Sequence, residues 1–124
     1  MVSIHPYFKA KPGKMPEIKA LLPVIVAKTA TEKDTLFYDF TINGDEVFCR
    51  EAYRGAGGAL VHLDNIGPLL GELIGLADLT RLEVHGPEAE LEMLKSPMAK
   101  LNPIWFARHG NLLLKSGVNS ACFC

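Results

Sequence analysis

The stretch EAYRGAGGALVHLDNIGP constrains the fold of this chain most, because it changes from a strand pattern to a helix pattern within a few residues. Its strand ends in Glu51 and Tyr53, and the glycines that follow predict a turn. A helix is predicted from about Ala59, and it carries His62. A carboxylate, a phenol and an imidazole are therefore expected close together at one edge of one layer.

Patterns on either side of this unit predict the remaining elements. Alternation predicts strands over 3–10, 35–42, 46–54, 79–85 and 104–109, and a 3.6-residue period predicts helices over 16–31, 69–77 and from 87 onward. Asn43-Gly44-Asp45 has the composition of a hairpin turn. Gly67-Pro68 predicts a break between two helical pieces, and Ser96-Pro97 predicts the N-cap of one further turn. The order β-α-β-β-α-β, with an extra helix and a short strand, is the ferredoxin-like pattern of an α+β fold.

Size and charge narrow the class of protein. A chain of 124 residues and 13.6 kDa predicts one domain, here 1–110, followed by a loosely held tail over 111–124. A net charge of -1 offers no basic surface for nucleic acid. The longest apolar run, 20–27, is far shorter than the roughly 20 residues of a membrane span. The N-terminus has no signal-peptide pattern, so we expect a cytoplasmic protein.

The three cysteines do not have the number or spacing of a disulfide framework. Cys49 lies within a predicted strand and is expected in the core. Cys122 and Cys124 form a C-x-C pair in the tail, where the sequence offers no partner ligands for a metal. We therefore predict neither a disulfide nor a metal site.

The two faces of the predicted sheet differ in character, because side chains alternate along a strand. The apolar face, expected to pack under the helices, collects Ile4, Pro6, Phe8 and Ala10, then Leu36, Tyr38, Phe40 and Ile42, then Val47, Cys49, Glu51 and Tyr53, then Thr80, Leu82 and Val84. The opposite face mixes aromatic and charged side chains, including His5, Tyr7, Asp39, Phe48, Arg50, Leu79, Arg81, Glu83 and His85. That mixture predicts a second sheet packed against it, and therefore a homodimer. A solvated face with scattered aromatic residues is the alternative.

Short motifs in a fixed order resemble those of the antibiotic-biosynthesis-monooxygenase (ABM) domains of the dimeric α/β barrel superfamily. They are the strand end and turn FKAKPG at 8–13, the helix end and second strand within 29–38, and the third strand and helix within 51–62. The chain departs from the family pattern where Lys33-Asp34 stands for a Pro-Gly and where Tyr53 stands for a tryptophan. The resemblance covers roughly residues 3–85.

The resemblance implies a homodimer of facing sheets, with a small-molecule pocket between sheet and helices in each subunit. Some superfamily members oxidise aromatic polyketides or quinols with dioxygen and no cofactor, whereas others degrade haem, isomerise small molecules or have no known activity. Haem-degrading relatives use a helix histidine, a first-strand asparagine and a third-strand tryptophan. Only His62 fits that set, since Pro6 and Tyr53 stand near the other two positions. We therefore predict no cofactor.

Glu51 and His62 are the candidate catalytic residues. Glu51 is expected on the apolar face, where burial raises the pKa of a carboxyl toward that of a useful base. A structural glutamate bound to a cation or to backbone amides is the alternative. His62 is expected at the pocket rim, where an imidazole can deprotonate a phenol or enol near neutral pH. A histidine bonded to a backbone carbonyl is the alternative.

Tyr53, Asn65, Tyr38 and Phe8 are the candidate substrate-binding residues. Tyr53 and Asn65 can hold substrate oxygens, while Tyr38 and Phe8 can line the pocket. The structural alternatives are core packing for the aromatic side chains and capping of the helix break for Asn65. The opposite face carries histidine and carboxylate side chains, which are suitable metal ligands, at His5, Asp39, Glu83 and His85. No two of them have the close sequence spacing of a ligand pair, so we predict an ion-paired interface there rather than a metal site.

These residues support functional hypotheses of different classes. In the first, the protein is a cofactor-independent oxygenase in which His62 or Glu51 removes a proton from a small aromatic or quinol-type substrate, and the anion reduces dioxygen. In the second, the same fold is a non-catalytic dimeric module that binds ligands or serves a stress response. Isomerase chemistry by the same acid-base pair is a third.

Overall fold

A five-stranded sheet with helices packed on one face forms the fold, in a computed structural model that describes residues 1–112. Its elements are β1 (Val2–Ala10), α1 (Met15–Thr29), β2 (Thr35–Asn43), β3 (Glu46–Tyr53), α2 (Ala56–Leu76), β4 (Ala77–Gly86), α3 (Glu88–Lys95), a 3-10 turn (Ala99–Leu101) and β5 (Ile104–Ala107). The strand order is β2-β3-β1-β4-β5, antiparallel except for the parallel pair β4 and β5. The predicted βαββαβ pattern with an extra helix and a short strand is confirmed.

Helix α2 is a correction to the predicted helix break. It begins at Ala56, inside the predicted turn, and continues through Gly67 and Pro68 to Leu76. A proline removes one backbone hydrogen bond, but its φ suits a helix. Ile66 and Leu73 are buried on either side of Pro68, so packing on the sheet holds both halves in one helix.

One early glycine of α2 has a packing role rather than a turn role. A Cβ built on Gly58 would lie 3.0 Å from the Asp34 Cβ and 3.3 Å from the Tyr53 Cβ. A larger residue at this position would therefore require the loop before β2 or β3 to shift by a few tenths of an ångström. This close approach keeps the first turns of α2 against the strand that carries Glu51.

A bulge in β4 corrects the predicted faces of that strand. Tyr7 pairs with Arg81 and Phe8 pairs with Leu79, so Thr80 is one extra residue in the ladder. Thr80 is exposed, and its hydroxyl donates to the Tyr7 carbonyl at 3.1 Å. Leu79, not Thr80, therefore packs on the helix-covered face.

A second bulge changes the start of β2. Thr35 pairs with Tyr53 and Phe37 pairs with Ala52, which leaves Leu36 as the extra residue. Directly opposed residues project to the same face. Thr35 therefore lies on the helix-covered side, where the sequence pattern had placed Leu36.

The C-terminal elements are shorter than predicted. Ser96 follows the end of α3 instead of capping a new helix, and the next turn is the 3-10 turn. Strand β5 ends at Ala107. Cys122 and Cys124 lie outside the described residues, as does most of the predicted tail 111–124. Within residues 1–112, no helix is long and apolar enough to cross a membrane.

Two apolar clusters fill the space between the sheet and the helices. One includes Val84, Leu91 and Leu94, under α2 and α3. The other includes Phe8 and Ile25, under α1 and the second half of α2. Residues of both clusters border one cavity, which is where the predicted site residues converge.

Candidate functional site

The cavity between the sheet and the helices has a nearly continuous apolar wall. Its internal volume is about 40 Å³, so the cavity is narrow in the single chain. The apolar wall includes Ile4, Pro6, Phe8, Ile25, Phe40, Leu63, Ile66, Leu70, Leu73, Leu79, Leu82, Met98 and Leu101. Among the described residues, the polar lining consists of Tyr38, Cys49, Glu51 and His62, and no lysine or arginine takes part.

The strand register brings the polar lining together. Tyr38 on β2 and Ile4 on β1 both lie directly opposite Glu51 on β3, so the three side chains share one face. Cys49 is two residues before Glu51 on the same strand and therefore on the same face. His62, in the second turn of α2, covers this group from above, with its ring centroid 4.9 Å from that of Tyr38.

Glu51 is buried and has no cationic lysine or arginine partner among the described residues. The Tyr53 hydroxyl donates to its Oε1 at 2.7 Å, and the His62 Nε2 lies 3.7 Å from the same oxygen. Burial raises the pKa of the Glu51 carboxyl, while charge on His62 and hydrogen bonds from Tyr53 and Cys49 act in the opposite direction. The site thus holds a carboxyl that can exist in its protonated form where an exposed glutamate would be ionised.

His62 lies in the core rather than at the predicted rim, since it is only 1% exposed. Its Nδ1 contacts both Glu32 oxygens, at 3.1 and 3.0 Å. Its ring also packs against Tyr53, with centroids 5.1 Å apart. Because the ring nitrogens face two carboxyl groups, the backbone-bonded alternative is wrong.

Glu32 is the site residue that sequence reasoning missed. It lies in the loop between α1 and β2, where a charged residue usually faces solvent, yet its side chain is 3% exposed. Its partner His62 is 30 residues away in the chain. The only signal was its place in the helix-end motif 29–32, which carries no information about burial or hydrogen bonding.

Comparison with solved structures identifies the family. MupZ from Pseudomonas fluorescens is 37% identical to this chain, over 95% of this chain and 98% of its own, with a TM-score of 0.87. The chain belongs to the same family as MupZ. No protein-family model matches the sequence, and no curated protein matches it significantly.

More distant structures share the fold of this ABM-like protein. A structure described as an antibiotic biosynthesis monooxygenase is 17% identical, over 68% of this chain and 93% of its own, with a TM-score of 0.60. Another so described, from Deinococcus radiodurans, is 21% identical, over 68% and 87%, with a TM-score of 0.57. The predicted ABM-like domain and its ferredoxin-like fold are confirmed.

The predicted substrate-binding residues of this ABM-like protein divide into two groups. Tyr38 and Phe8 line the cavity. Tyr53 is not among the lining residues, and its hydroxyl is used by Glu51. The Asn65 amide lies away from the cavity and donates to Glu32 at 2.9 Å and to the Lys28 carbonyl at 3.1 Å, so it neither caps a helix break nor faces a ligand.

His62 in this ABM-like protein does not suit the role of a haem ligand. Its Nδ1 is bonded to Glu32, and its Nε2 faces Glu51 at 3.7 Å. An iron atom at Nε2 would have to displace the Glu51 carboxyl, which is fixed in turn by Tyr53. Within residues 1–112, no group of three or more histidine, cysteine or acidic side chains is arranged to hold a metal ion.

Proposed function

We propose that this protein is an enzyme that transfers protons at a small, neutral and largely apolar substrate, with Glu51 as the group that exchanges the proton. One observation carries the proposal: a buried carboxyl with a raised pKa forms part of the polar patch in an otherwise apolar cavity. Such a group can take a proton from a substrate and return it. Because no lysine or arginine of residues 1–112 lines the cavity, a carboxylate or phosphate substrate would remain unpaired there.

The position of His62 supports a reactive site over a binding module. A purely structural histidine is usually satisfied by a backbone carbonyl, whereas His62 lies between Glu32 and Glu51. An imidazole between two carboxyl groups can accept a proton from one while the other stabilises the charge. We assign His62 the role of proton partner to Glu51.

In the oxygenase form of this function, Glu51 removes a proton from the enol or phenol form of the substrate. The anion passes one electron to dioxygen, and the resulting radical and superoxide combine at carbon to form a C–O bond. Glu51 returns its proton to the peroxide, and loss of the remaining hydrogen at that carbon breaks the O–O bond. A methylene and dioxygen thus become a carbonyl and one water, with the substrate as the only reductant.

A second form uses the same residues without dioxygen. Because its pKa is raised, Glu51 can hold a proton as well as accept one. Removal of a proton at one carbon and its return at another would isomerise an enolisable substrate. The two forms differ in oxygen consumption and share the dependence on Glu51.

Two probes separate these forms. Anthrone is a neutral apolar compound whose methylene can become a carbonyl, and oxygen uptake in its presence reports the oxygenase form. β-Tetralone is an enolisable apolar ketone, and its deuterium uptake from solvent reports proton transfer alone. Whichever of the two reactions the natural protein accelerates, we expect Glu51→Gln to lower its rate by about 10²- to 10⁴-fold.

The matched control is Glu92→Gln, which removes one exposed carboxylate paired with Lys95 and should leave both rates unchanged. Oxygen uptake that requires Glu51 supports the oxygenase form, and deuterium exchange without oxygen uptake supports the isomerase form. If neither probe reacts faster with the natural protein than with Glu51→Gln, the proposal fails and the binding module is favoured.

We also propose that the protein is a homodimer through the open face of the sheet. This face carries a row of packed rings: Tyr7 and Phe48 have centroids 4.7 Å apart, and His85 stacks on Phe106 at 4.4 Å. Phe106 is 39% exposed in the single chain. Burial of this aromatic surface by a second sheet would stabilise association.

Light scattering during gel filtration tests the dimer. We expect a mass of twice 13.6 kDa for the natural protein and 13.6 kDa for Phe48→Asp, because a charge would be buried at the interface. Met93→Asp, at a 57% exposed position on α3, is the control and should stay dimeric. A natural protein of 13.6 kDa would contradict the proposal.

A further inference from the structure

A buried carboxylate that does not line the cavity lies behind His62. The Glu32 side chain accepts hydrogen bonds from Thr35 Oγ1 at 2.7 Å and Asn65 Nδ2 at 2.9 Å, and His62 Nδ1 lies 3.0 Å from its Oε2. The bulge at Leu36 turns Thr35 to this side of the sheet. The Thr35 and Asn65 bonds both use Glu32 as an acceptor, which is the role of an ionised carboxylate.

These contacts determine which nitrogen of His62 carries hydrogen. Because Glu32 accepts, the hydrogen of a neutral His62 ring lies on Nδ1. Its Nε2 then presents a lone pair toward Glu51 Oε1, 3.7 Å away. The rings of Tyr38 and Tyr53 pack against the imidazole at 4.9 and 5.1 Å, which hinders a turn that would exchange the two nitrogens.

The other titratable groups that face Glu51 from the sheet are protonated at neutral pH and are not bases for its proton. Burial raises the pKa of the Tyr38 hydroxyl, the Cys49 thiol and the Tyr53 hydroxyl, and the negative charge of Glu51 raises each further. All three therefore keep their hydrogens. His62 is left as the neighbour that can accept a proton from Glu51.

We propose that Glu32 is a positioning residue that fixes the Nδ1–H tautomer of His62 and so keeps Nε2 as the proton acceptor beside Glu51. The catalytic meaning rests on the proposed function, whereas the tautomer is a property of the resting protein. In the step, the Glu51 hydroxyl proton moves to Nε2. The imidazolium keeps its hydrogen bond from Nδ1–H to Glu32, and the Glu51 carboxylate is then free to act as the base for the substrate.

Nitrogen-15 NMR of the histidine-labelled full chain, at a pH where the ring is neutral, tests the tautomer without any substrate. We expect hydrogen on Nδ1 of His62 in the natural protein. Glu32→Gln should move the hydrogen to Nε2, because a glutamine amide can donate to Nδ1, and Glu32→Asp should retain Nδ1–H in part. Glu83→Gln is the matched control, since it removes a carboxylate partner of His85 and should leave the His62 signal unchanged.

Kinetics with whichever of anthrone or β-tetralone is turned over give a second test. Glu32→Gln should lower kcat by about 10- to 100-fold with KM unchanged, because Glu32 does not line the cavity. Glu32→Asp should recover part of the rate. A loss confined to KM would overturn the proposal.

The two tests separate failure of this inference from failure of the proposed function. An Nε2–H tautomer in the natural protein, or an unchanged tautomer in folded Glu32→Gln, would overturn the role of Glu32 whether or not a substrate is found. If Glu32→Gln does not fold, the position of the His62 hydrogen in the natural protein and in Glu32→Asp is the test, and an Nε2–H tautomer in the natural protein overturns the role of Glu32. If His62 carries its hydrogen on Nδ1 but neither probe is turned over, the inference about Glu32 is supported and the proposed enzymatic function is contradicted.

Discussion

The two faces of the sheet each carry a histidine–carboxylate cluster, and the two clusters have opposite electrostatics. Under the helices, burial raises the pKa of Glu51, and no arginine or lysine of the described chain pairs with it. On the open face, hydrogen bonds from Arg81 and His85 lower the pKa of Glu83. Similar residue types thus form a buried cluster without a lysine or arginine partner on one side and an arginine-paired cluster on the other.

The difference comes from solvent and from the available cations, rather than from residue identity. Desolvation disfavours the charged form of a carboxyl, whereas a nearby guanidinium favours it. In the single chain the open cluster is partly exposed and includes Arg81, whereas the covered cluster is buried and contains no arginine among residues 1–112. Each prediction below changes one member of the covered cluster and its counterpart on the open face. Phe48→Asp is present in every protein compared, so that the proposed interface does not cover the open face.

The largest difference is expected for the two histidines. His62→Leu leaves the buried Glu32 carboxylate without its imidazole partner and should lower the free energy of unfolding by about 3–5 kcal/mol. His85→Leu breaks an exposed pair and should change it by less than about 0.5 kcal/mol. Urea unfolding of both variants checks this, and equal losses would mean that the covered cluster is not desolvated.

A smaller difference is expected in the pH dependence of stability. The folded pKa of Glu51 lies above its ordinary 4.5, so its contribution is full below pH 4.5 and is lost as pH rises through the folded value. Glu83 has a lowered pKa, so its contribution is present above pH 4.5 and is lost as pH falls through the folded value. Urea unfolding across pH should show Glu51→Gln losing less stability than the natural protein as pH rises above 4.5.

In the same series, Glu83→Gln should lose less stability than the natural protein as pH falls below 4.5, and its stability should follow that of the natural protein above pH 4.5. Because the Glu83 side chain is partly exposed, we expect this effect to be smaller than that of Glu51→Gln. A natural protein whose stability rises through neutral pH as much as that of Glu51→Gln would show that burial does not hold a proton on Glu51.

The smallest difference is expected for the tyrosines. Tyr53→Phe removes one buried hydrogen bond to Glu51 and should cost about 1–2 kcal/mol, and it should raise the pKa of Glu51 further because that bond lowers it. Tyr7→Phe, on the open face, should be within about 0.5 kcal/mol of the natural protein. Urea unfolding measures both, and a neutral Tyr53→Phe would show that the hydroxyl bond carries no net stability.

Much of the fold was predictable because its signals are local. Alternation located the strands, the Asn43-Gly44-Asp45 turn located the hairpin, and the helix after Tyr53 placed His62 above Glu51. The failures occurred where tertiary packing overrode local preference. Pro68 should have ended a helix, yet buried Ile66 and Leu73 on both sides keep α2 continuous.

The candidate site was predictable only in part. Glu51 and His62 could be found because one lies on an apolar strand face and the other on a helix next to it. Glu32 could not be found, since its burial depends on contacts with Thr35, His62 and Asn65 that are made only after folding. The mistaken position of Thr35 has the same origin, because a bulge leaves no mark in a residue pattern.

The two bulges let β4 and β2 each hold one residue more than regular pairing with the neighbouring strand requires. Thr80 and Leu36 are the extra residues, and the residues on either side of each one already lie opposite consecutive partners. Deletion of either residue should therefore give a regular ladder in which every remaining pair keeps its present face. These are two positions at which the sheet can lose a residue without turning Thr35 away from Glu32 or Leu79 away from the cavity.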